Sequence, residues 1–593
     1  MKLLPVPPLT ETLDRYLTAA SPLLSAEEFD RTEQVVRDYA EGLGKPAQAE
    51  LERFAEMENA EGRSWLSAAW LKGYLTVRDP LPLSTSVGFR LAWPTSAEGT
   101  PAAAFAAEVL HAFASAHLAY VSGEVAPEVT PRGEPVDGSQ RVIMAGGIRR
   151  PHSGQDDIEP GPWDPRSRDV GVLWQGRWYA VSVSDSDGGL LSRTAIQADL
   201  QAILDDAAGA DHAGTALDFT APSYRGGDHA AAALEELLED EANRRTHNRV
   251  RDALFVLHLS DEDLAADGLA ADGLAGDALE AEFIRRVAFE PGRAWTWKPL
   301  TYQVQLRHGL VALHMEHSLA DGGTLLGLVA EAHARVETGE RDDATGLPQE
   351  SRTPDTLAWR ISDAQEAELE ADLAAYRDRA APLHVQLVRV PNPIPTGKRI
   401  SADAVLQWVM LYAQRATYGR VRSTYEAVDM REYQAGRTEC LRANTPAAVA
   451  LVEALLDRPD AEEAATLLAT ALDAHRGWVK NAKAGNGVDR HLLGLAEAAE
   501  RLGDATPLHD DEGYRRLSTD FLSTTSLGTR DAVLRCAFAP TSAGGIGLYY
   551  VVDGDELEFT VIHRRDEAER IEEFVANLAI GAERLAPVLA AHG

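Results

Sequence analysis

The segment LTYQVQLRHGLVALHMEHSLADGGTLLGLVAEAHARVE, from Leu300 to Glu337, constrains the fold more than any other. Two runs of strand character flank His308-Gly309, where the glycine predicts a hairpin turn, and a helical run follows at once. Similar units recur along the chain. DVGVLWQGRWYAVSVS reads as two strands around a Gln-Gly turn, DALFVLHLS as one strand, and SADAVLQWVMLYAQRATYG as a helix capped by Ser401. AVLRCAFAPTSAGGIGLYYVVDGDELEFTVIHRR supplies three more strands with glycine-rich turns. Strands alternating with helices predict an α/β architecture.

The chain up to Asp79 differs, because it reads as helices alone. SAEEFDRTEQVVRDYAEGL opens with Ser25 and Glu28 at capping-box spacing. In SWLSAAWLKGYL, the aromatics Trp65, Trp70 and Tyr74 suit helix packing and are read as core. LAADGLAADGLAGDALEAEF, which echoes itself, is read as a surface insertion. With 593 residues the chain is too long for one hydrophobic core, so at least two packed units are expected.

The net charge of −36 argues against nucleic acid and anionic membrane as partners. It still allows an anionic substrate, provided a basic pocket is built locally. The two cysteines, Cys440 and Cys536, exclude a disulfide framework and a cysteine-rich zinc site, and they suit a reducing compartment. Histidines such as His152, His314 and His384 are scattered, with no ligand spacing, so no metal is expected. The start, MKLLPVPPLTETLDRYL, lacks the pattern of a signal peptide, and no uninterrupted apolar run of about 18 residues occurs. The expectation is a cytoplasmic protein without a membrane span.

In LVALHMEHS, strand alternation puts Val311, Leu313, Met315 and His317 on one face. Three apolar side chains are followed by a titratable one, where the strand gives way to LADGG and then to a helix. An imidazole held there by backbone is well placed to act as a general base. A core histidine bonded to a carbonyl fits the same residues, and this stretch does not separate the two.

The wider pattern bears on that choice. EHSLADGG resembles the His-x-x-x-Asp-Gly signature of the carnitine/choline acyltransferase family. LPVPPLTETLDRYL, SWLSAAWLKGYLTVRDPL, RVIMAGGIRRPHSGQDDI, STYEAVDMREYQAGRTECLRANTP, AHRGWVKNAKAGNGVDRHLLGL and SAGGIGLYYVV resemble further blocks of that family, in its order and over nearly the whole chain. The resemblance implies two chloramphenicol-acetyltransferase-like domains with an active-site tunnel between them, behind an N-terminal helical segment. We divide the chain at 1–358, which bears the histidine, and 359–593, which bears the carnitine and coenzyme A contacts. The implied reaction moves an acyl group reversibly between acyl-coenzyme A and the hydroxyl of carnitine. His317 would take the proton, and no acyl-enzyme or tightly bound cofactor is needed. Asp321 and Gly322 would support the histidine.

Other site residues follow from the same resemblance. The family carries Ser-Thr-Ser where this chain has LSTTSLG, and two alignments are possible. Counting from Arg490 selects Thr524-Thr525-Ser526, which makes Ser526 the hydroxyl that holds the oxyanion. Leu527 then stands where the family has glutamine. Tyr425, Thr438 and Arg490 resemble the residues that hold carnitine's carboxylate, and Phe538 an aromatic near its trimethylammonium. Cys536 would close the acyl pocket. For coenzyme A the matches are Ser401, Asp403 and Arg476. Asn392 and Thr396 replace the family's phosphate-binding lysines, with Lys398 and Arg399 as substitutes. That departure leaves an acyl-carrier-protein thioester open as donor. Choline or another carboxylate-bearing alcohol remains open as acceptor, and so does a non-catalytic binding protein.

Overall fold

The computed structural model describes residues 1–130, 132–209, 217–264, 275–338, 354–457 and 461–592. Two large mixed sheets carry the fold. The first runs in the order Val533–Phe538, Val87–Leu91, Leu310–Met315, Leu300–Gln305, Val256–Ser260, Asp169–Trp174, Arg177–Ser182, Asp355–Leu357. The second runs Leu383–Pro391, Glu556–Arg564, Ile546–Asp553, Leu522–Thr525, Thr424–Asp429, Thr438–Leu441. A small hairpin pairs Gly147–Arg150 with Asp157–Pro160.

The local expectations hold where the chain alternates strongly. Gln305 and Leu310 close the hairpin around Gly309, whose φ is +63°. Gln175 and Gly176 both take positive φ at the turn from Trp174 to Arg177, a conformation matched to the twist of the flanking strands. Ser25 and Glu28 exchange the two hydrogen bonds of the capping box. Ser401 Oγ accepts from the Ala404 amide at the start of Ala402–Tyr418.

Each sheet buries a helical layer. Helix Ala102–Val121 inserts Phe105, Val109, Leu110 and Phe113 against the first sheet, together with helix Gly322–Glu337. The second sheet packs on Ala402–Tyr418 and Ile571–Ala591. Gly581 lets these two helices close up, since a Cβ there would stand 3.0 Å from the Tyr412 ring.

Two readings need correction, and one needs detail. The repetitive stretch was read as a surface insertion. Its residues 265–274 lie outside the described residues, but from 275 it is helix Ala275–Phe289, which buries Phe283, Ile284 and Val287. The spacing of those residues is a helical face, hidden in the sequence by the repeat in front of it. Second, two helices are long and apolar enough to cross a membrane, Ala102–Val121 and Ile571–Ala591, although neither gives an uninterrupted apolar run. The first is mostly buried in the core of this fold, and the second packs Phe574, Leu578, Leu585 and Leu589 inward. Third, Trp65 is core as read, whereas Trp70 and Tyr74 line a cavity.

Packing also crosses the boundary at 358/359. The edge strand Val533–Phe538 belongs to the first sheet, and the N-terminal helices bury Leu13, Tyr16 and Leu51 with Val428, Leu441 and Leu492. The chain therefore leaves the second sheet at Thr525 and enters the first at Val533. That crossing segment helps build the site.

Candidate active site

His317 sits just past a central strand. Leu310–Met315 is hydrogen-bonded on both sides, to Val87–Leu91 and to Leu300–Gln305, so its end is fixed by two ladders. Val311, Leu313 and Met315 enter the core, as alternation predicts. His317 continues past them onto the wall of a cavity of about 290 Å³.

Two arginines hold the histidine's loop. Arg437 Nε donates to Asp321 Oδ2 at 2.7 Å, and Nη1 and Nη2 donate to the carbonyls of Ser318 at 2.7 Å and His317 at 3.2 Å. Gln140 adds a donor to Asp321 Oδ2 at 2.9 Å and accepts from the Asp321 amide. Asp321 opens helix Gly322–Glu337 without capping it, because its carboxylate is spent on Arg437 and Gln140. Burial pushes this carboxyl up, but the Arg437 charge, His317 and the hydrogen bonds outweigh it and hold it below the usual range. Asp321 Oδ1 lies 3.6 Å from His317 Nδ1, too far for a hydrogen bond. The Tyr74 ring stacks on the imidazole, with centroids 5.5 Å apart. Arg149 holds the other side of the loop through Glu316 and Ser318.

Gly322 is required by close approach. A Cβ there would meet Leu527 Cδ2 at 2.7 Å, so the crossing segment lies directly on the histidine's helix. That contact fixes the register of LSTTSLG. Ser523, Thr524 and Thr525 line the cavity, whereas Ser526 Oγ accepts from the Gly528 amide at 3.2 Å and the cavity wall does not include it. Ser526 follows directly, between Thr525 and Leu527, which both line the cavity.

Tyr425, Thr438 and Arg490 come together. Arg490 Nη2 donates to Tyr425 Oη at 2.8 Å and to Thr438 Oγ1 at 3.4 Å, and Nε donates to the Thr438 carbonyl at 2.8 Å. The guanidinium lies over the Trp70 ring, 4.1 Å from its centroid. Tyr425, Thr438 and Trp70 line the cavity, with Arg490 behind them. Among the described residues no carboxylate comes within 4 Å of the Arg490 guanidinium, although Arg437, Arg442 and Arg149 are each paired. Glu439 approaches it, but Oε1 accepts from the backbone amides of Cys440 and Arg490 instead. Burial pushes the Glu439 carboxyl up to about 7 and the Tyr425 phenol up to about 12.

The apolar wall is Val87, Phe89, Cys536 and Phe538, contributed by two paired strands in which Phe89 stands opposite Cys536 and Val87 opposite Phe538. Burial raises the Cys536 thiol above its ordinary range, so it is a packing residue.

The residues matched to coenzyme A lie away from this wall. Lys398 Nζ donates to the His592 carbonyl, Arg399 is exposed, and Arg476 is exposed beside Asp473. Ser401 caps its helix, and Asp403 takes Tyr550 Oη at 2.6 Å and His475 Nε2 at 3.0 Å, which brings this helix start beside the helix bearing Arg476. Tyr550 leads inward to Gln407, which donates to Glu426 Oε2 at 2.8 Å beneath Thr524. Burial, with the Asp403 charge, pushes Glu426 up to about 8. This buried network was missed in the sequence, as were Arg437, Gln140 and Arg149. Tyr74 and Trp70 had a signal, because aromatics four apart on a short helix share a face.

The chain matches the family model described as choline/carnitine O-acyltransferase over residues 4–579. It is 26% identical to carnitine O-acetyltransferase of Columba livia over 571 residues, covering 94% of this chain and 88% of that protein. It is also 26% identical to the mitochondrial carnitine O-palmitoyltransferase 2 of Mus musculus, covering 93% of this chain and 86% of that one. The human carnitine O-acetyltransferase is likewise 26% identical, with 92% and 86% covered. A histidine just past a rigid strand, on the wall of a cavity lined with hydroxyl side chains, is thus found in a chain that belongs to the choline/carnitine O-acyltransferase family.

Proposed function

We propose that this enzyme transfers an acyl group between acyl-coenzyme A and the hydroxyl of carnitine, with His317 as general base. The observation that carries the choice of acceptor is Arg490. Its half-buried guanidinium makes no ion pair among the described residues, and a substrate carboxylate beside Tyr425 and Thr438 would supply one. A trimethylammonium would then meet the face of Phe538.

Proton transfer follows from the ring's setting. Nδ1 is turned toward Asp321, which leaves Nε2 to take the proton from the attacking hydroxyl. The alkoxide adds to the thioester carbonyl, and the Ser526 hydroxyl, between the cavity-lining Thr525 and Leu527, stabilises the oxyanion. Collapse expels the thiolate, which recovers the proton from the imidazolium. The cavity collects residues from both sheets, which favours the two-domain, tunnel arrangement expected from the sequence. A carrier-bound thioester is the second reading for the donor, since Asn392 and Thr396 bring no charge to the loop before Ser401.

The test is thiol release from acetyl-, butyryl-, octanoyl- and palmitoyl-coenzyme A, each with carnitine and with choline. Turnover with carnitine alone supports the reading, and the best chain sizes the wall at Phe89 and Cys536. Equal rates with choline would refute the role given to Arg490.

A further inference from the structure

Among the described residues, nothing hydrogen-bonds the His317 ring. Nδ1 is buried without a partner, and Asp321 stands too far away to supply one. The imidazole's direction therefore depends on its backbone and on the stacked Tyr74 ring, and one side chain reaches both.

Arg149 lies on strand Gly147–Arg150 with its side chain fully buried. Its Nη1 donates to Glu316 Oε1 at 3.3 Å and to Ser318 Oγ at 3.2 Å, the residues on either side of His317. Its Nη2 donates to the carbonyl of Tyr74 at 2.8 Å and of Val77 at 3.4 Å. Nε is anchored on Asp156 at 2.8 Å. Ser318 Oγ closes the loop on Glu316 Oε1 at 2.6 Å. The rigid fork of a guanidinium fixes its acceptors relative to one another, which a flexible ammonium cannot do.

We propose that Arg149 is a positioning residue for acyl transfer, setting the plane and reach of the His317 imidazole by tying the histidine's two neighbours to the backbone of the residue that stacks on it. Arg149 touches no substrate. It acts by keeping the ring within the narrow range in which Nε2 meets the attacking hydroxyl, where a misplacement of about 1 Å can cost 10²-fold. The proposal rests on the reading of His317 as base.

The experiment compares Arg149→Lys, the double variant Glu316→Gln/Ser318→Ala, and His317→Ala, using acyl-coenzyme A and carnitine. Arg149→Lys retains the charge that pairs with Asp156 and loses the fork. Its kcat is expected to fall about 10²-fold, with KM for both substrates within about threefold of wild type. Glu316→Gln/Ser318→Ala leaves Arg149 paired with Asp156 and both carbonyls, so it reports on the loop even if Arg149→Lys fails to fold. The same split between kcat and KM is expected. A folded Arg149→Lys, or a double variant, with wild-type kcat overturns the proposal. So does a loss that falls on KM rather than kcat. Wild-type turnover in His317→Ala would instead overturn the base reading, which separates the two failures.

Discussion

Replacing Arg490 by asparagine should separate recognition of the acceptor from stability of the fold. The guanidinium is half-buried and bonded to Tyr425 and Thr438, and it stacks on Trp70 without an ion-pair partner among the described residues. Truncating one member of a buried charged pair costs about 2–5 kcal/mol. In the complex with a carboxylate that pair exists, and in the free enzyme it does not. Taking about 3 kcal/mol, kcat/KM for carnitine should fall roughly 150-fold at 1.4 kcal/mol per decade. For choline, with no carboxylate to lose, the change should stay within about threefold. The melting temperature should change by no more than about 3 °C, because the group is half-buried and no ion pair is broken in the free protein. Thiol release with each acceptor and thermal unfolding of the free protein measure both sides. An equal loss for carnitine and choline would refute the assignment, as would a fall in melting temperature that accounts for the lost activity.

Three further outcomes follow from the geometry. His317→Ala should leave turnover at about 10⁻² or below with carnitine binding retained, measured by single-turnover kinetics and calorimetry. Ser526→Ala should lower kcat about 10-fold or more, since its hydroxyl lies between the cavity-lining Thr525 and Leu527; wild-type turnover would refute that assignment. Glu426 is pushed up to about 8 by burial, so the folded protein keeps a proton that the unfolded chain releases near pH 4–5. Unfolding free energy should therefore decline from about pH 5 to pH 8, and Glu426→Gln should flatten that decline by up to about 1.4 kcal/mol per pH unit. Urea titrations of both proteins across that range measure it, and parallel curves would mean Glu426 is already ionised.

The sequence by itself determined whatever depends on neighbours along the chain. Gly309 and the Gln175-Gly176 pair specify their turns, Ser25 and Ser401 specify helix starts, and alternation in LVALHMEHS sends Leu313 and Met315 inward ahead of His317. It also supplied Tyr425, Thr438 and Arg490, by resemblance to ordered motifs, and these meet in space. Only the tertiary structure decided what depends on groups far apart in the chain. The crossing from Thr525 to Val533 lays Leu527 against Gly322, more than 200 positions earlier in the chain. Arg149 and Arg437, 288 positions apart by number, grip one loop because burying a guanidinium requires acceptors from wherever the fold can bring them. Trp70 and Tyr74 read as packing residues, since an aromatic helix face has the same spacing whether it meets a core or a cavity. What lies opposite that face is a property of the folded chain.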